Sequence, residues 1–99
     1  MEPKKAFAVE LGASWKRWAR HRSSAELVEI NRCLHALVDG FGKPHVHAGL
    51  GLRRLAEHTF EFRVSRELRV VFLLIKPRTI RLAMCGNHDE VRTWLKSNS

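Results

Sequence analysis

The sequence is poor in cysteine, has no long apolar run and lacks the short glycine-rich signatures of nucleotide-binding proteins; each shortage removes a class of function. Its two cysteines, Cys33 and Cys85, are too few for a disulfide framework. Cys33 falls within a helical pattern and Cys85 at a strand end, so both are expected as small buried hydrophobes. No C-x-x-C pattern accompanies the unspecific His45-Val46-His47 spacing, so a zinc site drawn from His45, His47, Cys85 and His88 is disfavoured. No metal or other cofactor is expected. No apolar stretch approaches the roughly 20 residues of a membrane helix. The start, Met-Glu-Pro-Lys-Lys, lacks the apolar stretch of a secretory signal, and the expectation is a cytoplasmic protein. No Ser-His-Asp order, phosphate-binding loop or dinucleotide fingerprint occurs.

What the chain does have is positive charge. Its 99 residues suit one domain, 1–99, and carry a net charge of +8. The excess is uneven. Residues 41–85 hold nine Lys/Arg (Lys43, Arg53, Arg54, Arg63, Arg66, Arg69, Lys76, Arg78 and Arg81) against Glu57, Glu61 and Glu67. A localised basic stripe is the electrostatic footprint of a nucleic-acid binder. Seven of the nine are arginine, whose planar fork suits phosphate better than an ammonium does. A merely solubilising basic surface is the alternative.

The periodicities lay out an α+β chain. Lys5–Leu11 reads as a first strand, with Phe7, Val9 and Leu11 on one face. Ser14–His21 places Trp15, Trp18 and Ala19 at helical spacing. Ser23 and Glu26 form a capping box, and Leu27, Ile30, Leu34 and Leu37 then make an apolar stripe that stops at Gly40. Phe41–Gly49 reads as a loop. Gly51–Glu57, Thr59–Val64, Leu68–Ile75 and Thr79–Cys85 read as strands, with a turn at Lys76-Pro77-Arg78. Asn87 and Glu90 repeat the capping logic before a short helix that turns Val91, Trp94 and Leu95 inward and frays from Lys96. The order β-α-α-β-β-β-β-α predicts two helices packed on one face of a mainly antiparallel sheet.

The hairpin over residues 60–72 carries the chemistry. With Ser65-Arg66-Glu67 as its loop, Val64 faces Leu68, Phe62 faces Val70 and Phe60 faces Phe72. A one-residue slip would push arginine into that oily face, so the register is well determined. The same register sets Arg63 opposite Arg69 and Glu61 opposite Val71. Like charges across strands repel. Glu61 can neutralise one arginine; a phosphate could neutralise both. A solvated Arg-Glu-Arg lattice is the other reading. His88 falls in the first turn of the last helix, where free N–H groups attract anions and an imidazole is held toward its neutral, proton-accepting form. The other reading is an ordinary exposed first-turn residue.

Taken in order, Gly51-Leu-Arg-Arg-Leu, Phe60-Glu-Phe-Arg-Val, Leu68-Arg-Val-Val-Phe and Cys85-Gly-Asn-His-Asp-Glu-Val resemble toxins of the RelE/ParE superfamily. The loop Pro44-His45-Val46-His47 is similar to the HigB/RelE-like branch. The resemblance implies the toxin of a type II toxin–antitoxin pair, inhibiting translation by metal-independent cleavage of mRNA on the ribosome and held inactive by a cognate antitoxin. It implies that Arg63 and Arg69 stabilise the phosphate, that Glu61 or His88 is the base and that His88 is the acid. Lys43, His47, Arg53, Arg54, Arg66 and Arg81 would contact flanking RNA. Trp94 stands where several relatives place a tyrosine; indole has no ionisable hydroxyl, and its spacing fits the helix's packed face. Two other functions go with the same resemblance: a ParE-like inhibitor of DNA gyrase without nuclease chemistry, and an inactive interaction module.

Overall fold

In the computed structural model of the chain, residues 7–40, 49–76 and 78–98 are described; Lys43, His45 and His47 lie outside them, as does nearly all of the loop expected over Phe41–Gly49. The elements are β1 (Ala8–Leu11), α1 (Trp15–Ala19), α2 (Ser24–Asp39), β2 (Arg53–Ala56), β3 (Thr59–Arg63), β4 (Arg69–Ile75), β5 (Thr79–Gly86) and α3 (His88–Asn98). Among the described residues, five strands lie in the order β1-β5-β4-β3-β2. β1 runs parallel to β5, and every other neighbouring pair is antiparallel. This is the expected α+β architecture.

Local chemistry explains most boundaries. Ser23 caps α2 as its spacing predicts: its Oγ accepts from Glu26 N at 3.1 Å, and its own N donates to Glu26 Oε1 at 2.8 Å. Gly40 ends the helix with φ −92°, so it does not use the left-handed conformation that glycine alone adopts freely. The buried stripe of α2 is Ile30, Cys33 and Leu37. Leu34 is only partly buried and Leu27 is 39% exposed, a shift from the expected stripe. The reason is the shortness of β1, an exposed edge strand, which leaves Leu27 beside Val9 and Leu11 in an open groove. α3 also departs from expectation, because it continues through Lys96 to Asn98, whose amide donates to Trp94 O at 2.8 Å.

The sheet separates two cores. Val70, Phe72, Ile80, Leu82 and Cys85 join Trp15, Ile30, Cys33 and Leu37 on the side of α1 and α2. Val71, Ala83 and Met84 meet Val91 of α3 on the other. The irregularity between Val71 and Phe72 skips Ala83, so Ala83 and Met84 keep to one side while Leu82 and Cys85 keep to the other. Phe60 and Phe72 stack across β3 and β4 with centroids 5.6 Å apart, the pairing the hairpin register requires. Among the described residues, no helix is long and apolar enough to cross a membrane.

Both cysteines are free thiols buried in the first core, as expected from their positions. Desolvation pushes the Cys85 thiol up to about 11. An unfolded chain releases that proton near pH ~8.5, so the raised folded value favours the native state below that pH. We expect stability to fall as pH rises from there toward 11, and a Cys85→Ala variant to show a smaller fall. Urea titrations at pH 8 and pH 10 check this, and equal losses in both proteins would refute it.

Candidate active site

The hairpin pairs as its alternation predicts. Arg63 lies opposite Arg69, Glu61 opposite Val71, and Phe62 opposite Val70. The tight turn is closed by Val64 N donating to Leu68 O at 2.9 Å. Because β-strand side chains alternate, Glu61, Arg63, Arg69 and Val71 share the sheet face that α3 partly covers. β2 adds Arg53, directly across from Glu61.

Glu61 is the centre of this group and is only 5% exposed. Its Oε2 lies 3.8 Å from Arg53 Nε and 4.0 Å from Arg69 Nε. Both are ion-pair distances, too long for good hydrogen bonds. The Arg69 side chain is 14% exposed, and its Nε is buried without a hydrogen-bond partner. An orphan buried donor of this kind costs about 1–3 kcal/mol unless something accepts from it. Arg63 remains exposed and carries no ion pair among the described residues. Three guanidiniums, those of Arg53, Arg63 and Arg69, therefore share this face with one carboxylate, which stands at ion-pair distance from Arg53 and Arg69 but satisfies no hydrogen bond of the Arg69 Nε. The face carries an excess of positive charge.

The start of α3 lies at the same end of the sheet. Arg69 pairs with Gly86, two positions before His88, and α3 turns back from there over Val71 and Met84. Asn87 Oδ1 accepts from Glu90 N, and Asn87 N donates to Glu90 Oε1, both at 2.9 Å. His88 is exposed. The helix end itself is a weaker anion seat than its position alone suggests. The capping box occupies two backbone donors, and Asp89 and Glu90 bring negative charge into the first turn.

Gly86 emerges as a positioning residue that spacing alone did not single out. A Cβ there would come within 2.8 Å of Glu90 Oε1 and 3.0 Å of Glu90 Cβ. The signal was present as Gly86-Asn87-x-x-Glu90: the capping glutamate needs the space above the strand end. Gly86→Val is expected to disrupt the cap and cost about 1–2 kcal/mol. An unchanged thermal midpoint in that variant would contradict the close packing of α3.

The remaining predicted residues spread out. Arg54 is exposed across from Phe60, on the other face from Glu61, and contacts Ala56 O at 3.4 Å. Arg66 projects from the hairpin tip. Arg81 pairs with Glu10 and sits beside Leu73, four positions along β4 from Arg69 and so roughly 13 Å away. The structure does not bring it to the arginine pair. Trp94 is half-buried and packs on the Val71–Met84–Val91 cluster, as its helical spacing predicts. Cys85 is fully buried on the α2 side, whereas His88 is on the surface.

Solved structures share this architecture. RelE of the archaeal RelE–RelB complex from Pyrococcus horikoshii superimposes with a TM-score of 0.65 at 11% identity, over 84% of this chain and 96% of that one. YafQ of the Escherichia coli DinJ–YafQ complex gives 0.61 at 14% identity, over 86% and 97%. A YoeB/ParE toxin from Agrobacterium tumefaciens gives 0.58 at 18%, over 83% and 99%. The fold is that of the RelE/ParE toxins. No protein-family sequence profile matches the chain, and no curated protein sequence does. At 11–18% identity the likeness to these structures is one of fold.

Proposed function

We propose that this chain is the toxin of a toxin–antitoxin pair and acts as an endoribonuclease on mRNA. One observation carries the reading: Arg63 and Arg69 are held side by side in register, and the buried Arg69 Nε lacks an acceptor. A phosphodiester supplies the oxygens that this pair lacks. The basic excess over residues 41–85 supports a polyanionic substrate. RelE of P. horikoshii and YafQ of E. coli occur in complexes with RelB and DinJ, and that likeness supports a protein partner that restrains this chain.

In this mechanism the ribose 2′-oxygen attacks the adjacent phosphorus, its proton passes to a base, and the 5′-oxygen leaves with a proton from an acid. The reaction yields a 2′,3′-cyclic phosphate and a 5′-hydroxyl. Arg63 and Arg69 hold the equatorial oxygens as negative charge builds on them. His88, exposed at the same end, carries a proton to or from the reacting oxygens. Glu61 lies beneath the arginines and aims them; its burial favours a positioning role over proton transfer to the ribose. Arg53 anchors Glu61 from the other side.

The deciding experiment incubates the purified chain with RNA alone in the presence of a chelator, and with mRNA on translating ribosomes in their magnesium buffer. Cleavage with cyclic-phosphate ends is expected, and a 2′-deoxy substitution at the scissile nucleotide should block it. Intact RNA in both settings, with DNA cleavage complexes accumulating on added gyrase, would replace this reading with the ParE-like one.

A further inference from the structure

On the far side of Arg63 from Arg69, the hairpin tip and the chain leading into β2 enclose a pocket of about 450 Å³. Its lining is Gly49, Leu50, Gly51, Arg63, Val64, Ser65 and Arg66. The wall opposite the arginines is largely main chain, because two of its three residues are glycine. Gly51 adopts φ +64°, a left-handed conformation that strains other residues. This bend brings the backbone beside Arg63, where a Cβ on Gly51 would sit 3.4 Å from Arg63 Cβ. Arg63 N donates to Leu50 O at 2.8 Å and ties the two walls together.

Arg63 and Arg66 are both exposed, and among the described residues neither forms an ion pair. Glu67 adjoins Arg66 in sequence, yet no ion pair joins them. The contrast with the nearby cations is informative. Arg53 and Arg69 share Glu61, and Arg81 has Glu10, so this fold gives these three arginines a carboxylate, exposed though Arg53 and Arg81 are. At the hairpin tip it leaves two like charges around one concavity, an arrangement that repels itself until an anion enters.

We infer that this pocket is a second anion subsite, which receives the phosphodiester next to the one held at Arg69; the inference rests on the RNA reading above. Arg63 stands between the two subsites and contacts both phosphates, while Arg66 belongs to the second alone. The glycine wall admits the backbone of the strand without demanding a particular base. Arg66 thereby sets how the strand is threaded past the reacting phosphate.

The test is a binding measurement with the full chain and trinucleotides methylated at every 2′-oxygen, which cannot be cleaved. One has two charged linkages. In its two isomers, one linkage or the other is a neutral methylphosphonate. Wild type should bind the fully charged trinucleotide roughly tenfold more tightly than the isomer whose neutral linkage falls at the hairpin tip, the scale of one charge-assisted hydrogen bond. Arg66→Gln should bind those two alike, and Arg66→Lys should recover part of the preference. Arg66 lies in an exposed turn, so these variants keep the fold. A tenfold preference that survives in Arg66→Gln overturns the subsite, as does a wild type indifferent to both neutral positions. If affinity still falls in Arg69→Ala in either case, the primary site stands without the second. Absence of binding to all three ligands overturns the subsite, and RNA left intact both alone and on ribosomes removes the primary reading with it.

Discussion

Arg69→Ala is expected to lower RNA cleavage by roughly 10²–10³-fold, the usual consequence of removing one preorganised donor to a developing oxyanion. The size of the effect follows from the burial of the side chain. At 14% exposure, its guanidinium acts in a partly dehydrated setting where a charge-assisted hydrogen bond counts for more than it would in water. Arg69→Lys should recover little. An ammonium retains the charge but loses the Nε donor and the planar fork, and it is more strongly hydrated. Stability must be followed in parallel, because either change alters the partner of a buried carboxylate. Arg53 remains 3.8 Å from Glu61 Oε2, so about 1–2 kcal/mol of destabilisation is expected rather than unfolding. Single-turnover cleavage measured well below each variant's melting temperature isolates the chemical effect. Wild-type cleavage by Arg69→Ala would leave the arginine pair without a catalytic purpose.

The arginine pair was readable before any coordinates because strand periodicity is strict. Phe60, Phe62, Val64, Leu68, Val70 and Phe72 admit one register that keeps all six on one side, and that register places Arg63 against Arg69. The capping boxes at Ser23 and Asn87 were equally legible, since each is a local exchange between residues three apart. What local spacing does not encode is which sheet face a helix covers. The Val91–Trp94 stripe shows only that α3 has an apolar side. That this side lies over Val71 and Met84, next to Glu61, is a tertiary outcome. Glu61 therefore reads in sequence as either a counter-ion or a base, and its burial is what the fold adds. β1 illustrates the same limit, because its parallel partner β5 lies about seventy residues along the chain. The openness beside β1 in turn exposes Leu27, which periodicity alone assigns to the core.

The division of labour between His88 and Glu61 leads to the second large effect. His88→Gln is expected to reduce cleavage by about 10²–10⁴-fold, the range for loss of a positioned proton carrier. It should also remove one limb of the pH–rate profile, since glutamine matches much of the imidazole's reach but does not titrate. Little stability should be lost, because His88 is exposed and its first turn is capped by Asn87 and Glu90 without it. Glu61→Gln should behave differently. It removes the charge that Arg53 and Arg69 share, so the arginines lose their alignment, the rate falls and the protein is destabilised together. The wild-type limbs of the pH–rate profile should nevertheless survive in the residual activity, because the proton carrier is intact. If Glu61→Gln erases a limb while His88→Gln keeps both, the carboxylate is the proton carrier despite its burial, and the histidine merely borders the site. If neither variant alters the profile, the acid and base lie outside this constellation, and the arginines bind phosphate without directing its cleavage.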